Sequence, residues 1–181
     1  MNSFDNSPFR GPGGKIFLIG FMGSGKTYWG SRWAAKYALP FIDLDKLVEE
    51  RENKTIVQLF EQNGEEYFRQ VETDCLKNFP GDGPFIMSCG GGAPCFNDNM
   101  KWMNEHGTTL YLSAGPEFLY NRVGEEKDKR PLLKNLAGSE LLSFIEQKLK
   151  EREPFYRQAK IILPSGELND NSLSSFLILN F

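Results

Sequence analysis

Residues 20–27 read GFMGSGKT and follow directly on the apolar run KIFLI at 15–19. The stretch fits G-x-x-x-x-G-K-[ST], with Gly20, Gly25, Lys26 and Thr27 in register. A glycine-rich turn between a strand and a helix aims backbone N–H groups at an anion, at the positive end of the helix dipole. Gly23, Ser24 and Gly25 would cradle phosphates, Lys26 would add a mobile charge, and the Thr27 hydroxyl would ligate magnesium. A nucleotide is the ligand this pattern predicts. The acceptor of its phosphoryl group must be read from the rest of the chain.

The chain has 181 residues, enough for one domain with a real core and too few for a separate substrate domain. Any acceptor therefore binds within the nucleotide fold. A net charge of -3 gives no strong field for nucleic acid or an anionic membrane. Cys75, Cys89 and Cys95 form no C-x-x-C pair, and with a single histidine they suggest no metal site of their own. A reducing cytoplasm is the expected compartment. Residues 1–14 read as a polar tail without the apolar stretch of a signal peptide, and no segment is apolar enough to span a bilayer.

Five short apolar runs, at 15–20, 40–43, 84–89, 109–114 and 160–164, alternate with helix-like stretches. This predicts an α/β domain with a five-stranded parallel sheet covered on both faces. Trp29, Trp33 and Tyr37 recur at i, i+4 and i+8 as the apolar stripe of the first helix. Thr55 with Gln58 marks a capping-box start, Gly64 a stop, and Phe68, Val71, Cys75 and Phe79 the buried face of a further helix. Three helices between the second and third strands exceed one crossover, so residues 44–79 predict a small helical lobe that an acceptor could use. The charged stretch GEEKDKRPLLKN, with its surroundings at 124–136, predicts a mobile lid.

Several residues have chemistry to offer at the carboxyl ends of these strands, where ligands bind in open α/β sheets. The second strand is expected to end in DLD, so that Asp43 and Asp45 lie two apart and point to the same side at its carboxyl end. As local structure, Asp45 would be the N-cap of KLVEERE and Asp43 a solvated carboxylate. Beside a phosphate loop, one carboxylate can hold magnesium waters and the other accept a hydroxyl proton. Glu65, Arg69 and Glu72 share a helix face opposite Phe68 and Cys75, a pattern that a surface salt-bridge ladder would also produce. Three successive glycines in SCGGGAP, Gly90, Gly91 and Gly92, allow close approach of a ligand to the backbone. Arg130 precedes a proline in the charged loop and Arg152 a proline-containing turn, and arginine forks match carboxylate or phosphate oxygens. His106 reads as the end of a helix before Gly107.

Taken together, the phosphate loop, FIDLD, LFEQNGEEYFRQVE, GGG, RPLL and REPFYRQA resemble the shikimate kinase family in order and spacing, over residues 15 to about 163. The resemblance implies a three-layer P-loop kinase fold that transfers the γ-phosphoryl group of ATP to the 3-hydroxyl of shikimate with Mg2+. It implies that Asp45 meets the acceptor hydroxyl as base, that Asp43 and Thr27 hold the magnesium shell, and that Arg69 and Arg152 clamp the substrate carboxylate. Glu72 would orient the arginines, Gly90, Gly91, Gly92, Phe60 and Phe68 would close the pocket, and Arg130 would swing in on the lid. A monomer acting on a small molecule is expected. The chain departs from the family in one place: the loop after the fifth strand, LPSGELNDN at 163–171, lacks the usual arginine, leaving Arg122 as the candidate for adenine stacking. The competing expectations are a gluconate-type or nucleoside monophosphate kinase, whose substrates need no arginine pair, and a nucleotide-binding module without catalysis.

Overall fold

The computed structural model describes residues 14–124, 136 and 138–179. Residues 1–13 of the expected tail and all but the ends of the expected lid, Arg130 included, lie outside the described residues. Five parallel strands, β1 (Lys15–Ile19), β2 (Phe41–Asp43), β3 (Phe85–Ser88), β4 (Thr108–Ser113) and β5 (Ile161–Pro164), form one sheet in the order β2-β3-β1-β4-β5. Their positions match the five apolar runs.

Alternation along the central strand explains why the sheet is covered on both faces. Phe17 and Ile19 of β1 join Met87, Met100, Met103, Leu119 and Ile145 in one core, while Ile16 and Leu18 join Trp33, Ile86, Leu110, Leu112 and Leu163 in the other. Helices α1 (Lys26–Lys36), α2 (Leu44–Glu52), α3 (Ile56–Lys77), α4 (Asn99–His106), α5 (Pro116–Gly124), α6 (Gly138–Tyr156) and α7 (Ser172–Leu179) pack around the sheet, with short 3-10 turns at Ala93–Cys95 and Ser165–Glu167. Trp33 of the α1 stripe is wholly buried, with Trp29 and Tyr37 half-buried beside it. α4 ends at His106, which stacks on Trp102 with ring centres 4.2 Å apart. Among the described residues no helix is long and apolar enough to cross a membrane.

The lobe is built as the local signals dictate. At Thr55 the hydroxyl accepts from the Gln58 N–H at 3.2 Å, and the Gln58 side chain accepts from the Thr55 N–H at 2.9 Å, a reciprocal capping box. Gly64, at φ 82° and ψ 171°, interrupts α3 and splits it into two helical segments. The second segment packs Phe68 and Val71 against Val48 of α2 and Leu59. Two expectations need correction. β2 is only three residues long and ends at Asp43, so Asp45 belongs to the first turn of α2 rather than to the strand. Arg152 does not precede a turn: α6 runs on through Pro154 to Tyr156, which is wholly buried and anchors the helix end in the core.

Candidate active site

The phosphate loop, Asp43 and the glycine loop are brought in by the carboxyl ends of strands, and helices α3, α5 and α6 add Arg69, Arg122 and Arg152. β1 delivers the phosphate loop, and Gly25, at φ 94°, turns the chain into α1 without any side-chain cap. The N–H groups of the first helical turn are thereby left to an incoming anion. Lys26 folds back along the loop, its Nζ donating to the carbonyls of Gly20 at 2.8 Å and Phe21 at 2.9 Å. β2 and β3 are in register at Asp43 and Ser88. Between them stands Thr27, whose Oγ1 donates to Asp43 Oδ2 at 3.3 Å and lies 3.3 Å from Ser88 Oγ. This set of one carboxylate and two hydroxyls is all hard oxygen, suited to a magnesium ion completed by water and phosphate. Ser88 was not singled out in the sequence, although its place at the end of a strand in SCGGGAP was the available signal.

The roles expected of the two aspartates as local structure are exchanged. Asp43 is the N-cap of α2, its Oδ1 accepting from the N–H groups of Asp45 at 3.1 Å and Lys46 at 3.4 Å. Because the cap uses one oxygen and Thr27 the other, Asp43 is fixed in orientation. Asp45 turns into the same cleft of about 460 Å³, which is also lined by Gly23, Gly25, Lys26, Thr27, Gly90, Gly91 and Arg122. Ser24, by contrast, is wholly buried inside the loop. Arg122 lies over Phe118, 4.7 Å from its ring centre.

Arg69 is the residue for which the three-dimensional context matters most. A surface ladder would leave it in water; instead it is 8% exposed and Glu72 is 1% exposed. Nη1 donates to Glu72 Oε2 at 2.9 Å, and Nε and Nη2 donate to Glu65 Oε1 at 3.2 and 3.0 Å. The guanidinium also lies 4.5 Å from the ring centre of Phe96, 5.0 Å from Phe68 and 6.0 Å from Phe60. Phe68 is thus a neighbour of Arg69, not a member of an opposite face. Behind it, Thr73 Oγ1 donates to the Arg69 carbonyl at 2.8 Å, Asn97 donates to both, and Asn99 ties Thr73 to Ala93. Phe96, Asn97 and Asn99 escaped the sequence reading, since nothing in FNDN marks it as support for a helix some 25 residues earlier.

The three glycines are explained by what they touch. A Cβ on Gly90 would lie 2.5 Å from Glu72 Oε1 and 2.8 Å from Asp45 Oδ1; one on Gly92 would lie 2.5 Å from Arg69 Nη2. Only glycine lets this backbone pass between the two carboxylates and the guanidinium. Gly91 has Arg152 Nη1 at 3.3 Å from the same point, and its carbonyl accepts from the Tyr156 hydroxyl. Arg152 itself lies 5.6 Å from the Phe21 ring centre. Glu72 Oε1 has no hydrogen-bond partner among the described residues. Burial pushes its carboxyl up to about 7, against the pull of Arg69 and with the help of the nearby Asp45 charge.

A phosphate loop on the central strand of a parallel sheet, facing an acidic residue and buried arginine from a helical lobe, defines a P-loop kinase of small molecules. The family model described as shikimate kinase matches residues 22–178. The shikimate kinase of Bacteroides fragilis is 46% identical over 158 residues, 87% of this chain and 88% of that one. Among solved structures, shikimate kinase from Bacteroides thetaiotaomicron superposes with a TM-score of 0.82 at 43% identity, covering 91% of this chain and 94% of that one. Shikimate kinase from Acinetobacter baumannii in complex with shikimate gives a TM-score of 0.79 at 28% identity, over 91% and 90%. The chain belongs to the shikimate kinase family.

Proposed function

We propose that this protein transfers the γ-phosphoryl group of ATP to the 3-hydroxyl of shikimate. The observation that carries the reading is Arg69, buried among three aromatic rings and reaching the backbone of Gly92 while Asp45 reaches that of Gly90. A guanidinium and a carboxylate set at the two ends of one glycine loop suit a substrate with a carboxylate at one end and hydroxyls at the other.

In this reading Lys26 leaves the Gly20 and Phe21 carbonyls for the β- and γ-phosphates. Arg69 and Arg152 hold the substrate carboxylate, and Glu72 keeps Arg69 oriented. Asp45 accepts the proton of the 3-hydroxyl as its oxygen bonds to the γ-phosphorus, while the bond from that phosphorus to the β–γ bridging oxygen breaks and ADP departs. Thr27 and Asp43 would hold Mg2+, which when bound neutralises charge on the phosphates. Arg130, outside the described residues, would add positive charge to the transferring group from the lid. Three unbridged cysteines suit a reducing cytoplasm, and a monomer carries every residue this scheme uses.

The test is ADP release in a coupled assay with ATP and magnesium, with shikimate, gluconate and nucleoside monophosphates as acceptors in turn. Shikimate should raise the rate at least a hundredfold over the acceptor-free background, and Asp45→Asn should abolish most of that gain while leaving ATP binding intact. Stimulation by gluconate or a nucleotide and not by shikimate would overturn the assignment.

A further inference from the structure

The loop that follows β5 brings no cation of its own to the nucleotide, yet it is bound to α1 at several points. Asp170 accepts from Arg32 Nε at 2.8 Å and Nη2 at 2.7 Å, a bidentate pair. The Asp170 carbonyl accepts from Lys36 at 3.0 Å, Asn171 Oδ1 accepts from Lys36, and the Asn169 carbonyl accepts from the Trp33 indole at 3.1 Å. Both members of the Arg32–Asp170 pair are about half exposed. Exposed ion pairs contribute little to stability, so the consequence of this one is geometric.

What it fixes is Tyr28. The Arg32 guanidinium lies over the Tyr28 ring, 5.6 Å from its centre. Tyr28 stands edge-on to Trp29 at 5.1 Å and 83°. Despite these contacts the Tyr28 residue is 55% exposed, and it lines the same cleft as Lys26, Thr27 and Arg122. Holding a large aromatic side chain in one place at the mouth of a phosphate cleft creates a flat apolar surface for a ligand. A nucleotide with its phosphates on the loop would have its sugar and base within reach of Tyr28 and Arg122, which line the same cleft.

We propose that Tyr28 is a nucleoside-binding residue, that Arg32 and Asp170 are positioning residues acting through it, and that the nucleoside end of the co-substrate rests on the Tyr28 ring. The inference depends on the reading of the chain as an ATP-using kinase.

Calorimetry with ATP and with inorganic tripolyphosphate, on the full chain without acceptor, separates nucleoside contacts from phosphate contacts. Tyr28→Ala should weaken ATP about tenfold, the size of one lost ring contact, while tripolyphosphate binding and the KM for shikimate stay within about twofold of wild type. Asp170→Ala should weaken ATP about threefold in the wild-type background and not at all in the Tyr28→Ala background, the non-additivity of residues acting through one another. Unchanged ATP affinity in Tyr28→Ala overturns the proposal, as does an equal loss for ATP and tripolyphosphate, which would mean a damaged phosphate loop. An additive effect of Asp170→Ala overturns the positioning role. Failure of the wild-type protein to bind ATP would instead overturn the kinase reading itself.

Discussion

One methyl group at position 92 would meet the guanidinium of Arg69 at 2.5 to 2.7 Å on three of its atoms. Arg69 has nowhere to go, because Glu65, Glu72 and the rings of Phe60, Phe68 and Phe96 surround it. Gly92→Ala should therefore lower kcat/KM for shikimate about a hundredfold, corresponding to the 1.5 to 3 kcal/mol of a charge-assisted hydrogen bond. ATP affinity should hold. Gly83→Ala, where no atom lies within 4 Å of the new Cβ, is the matched control and should be silent; equal kinetics in the two variants would show that the Gly92 contact does not matter. At this scale the sequence was legible by type and illegible by environment. Spacing identified Arg69, Glu72 and the glycines, but i, i+3 and i+4 spacing is the same on a wet face and in a sealed one. Burial of that face depends on a loop some 20 residues further on. The exchange between Asp43 and Asp45 has a similar cause: where a strand stops and a cap begins depends on how many residues the neighbouring strand can pair.

α3 shows how an element places a residue far from its own end. The Thr55 capping box fixes where the helix begins, Gly64 breaks it, and the segment after the break carries Arg69 and Glu72 inward. Thr55→Ala removes the hydroxyl acceptor and should destabilise the fold by about 1 kcal/mol. Thermal unfolding should register this as a shift of a few degrees, with shikimate kinetics near wild type because the second segment has its own packing on Val48 of α2. A large rise in the KM for shikimate would show instead that the cap controls the site directly. Both the cap and the break could be read from the sequence because each is a local interaction. The passage of α6 through Pro154 could not, since burial of Tyr156 against Tyr111, with ring centres 5.1 Å apart, holds that last turn from outside the segment.

For the molecule as a whole, the buried Glu72 makes stability depend on pH. Its folded value of about 7 lies above the ordinary 4.5, so the folded protein binds this proton more tightly than the unfolded chain. The stabilisation is full below pH 4.5 and is lost as pH rises to 7. Glu72→Gln lacks the ionisation, so its stability relative to wild type should rise across that window, by at most about 3 kcal/mol. Urea midpoints of both proteins at pH 4.5, 5.5, 6.5 and 7.5 measure it, and a constant difference would show that burial does not strain this carboxyl. The sheet order raises a separate matter, of timing. Strand alternation was legible along the chain, but the central place of β1 was not, since its partners β3 and β4 begin at Phe85 and Thr108. During synthesis β1 therefore has no sheet partner until β3 has been made, roughly 70 residues later. At roughly 5–20 residues per second, KIFLI waits several seconds as an unpaired, β-prone apolar segment. A strand that ends buried at the centre of the sheet is, for the nascent chain, open to aggregation and to chaperones.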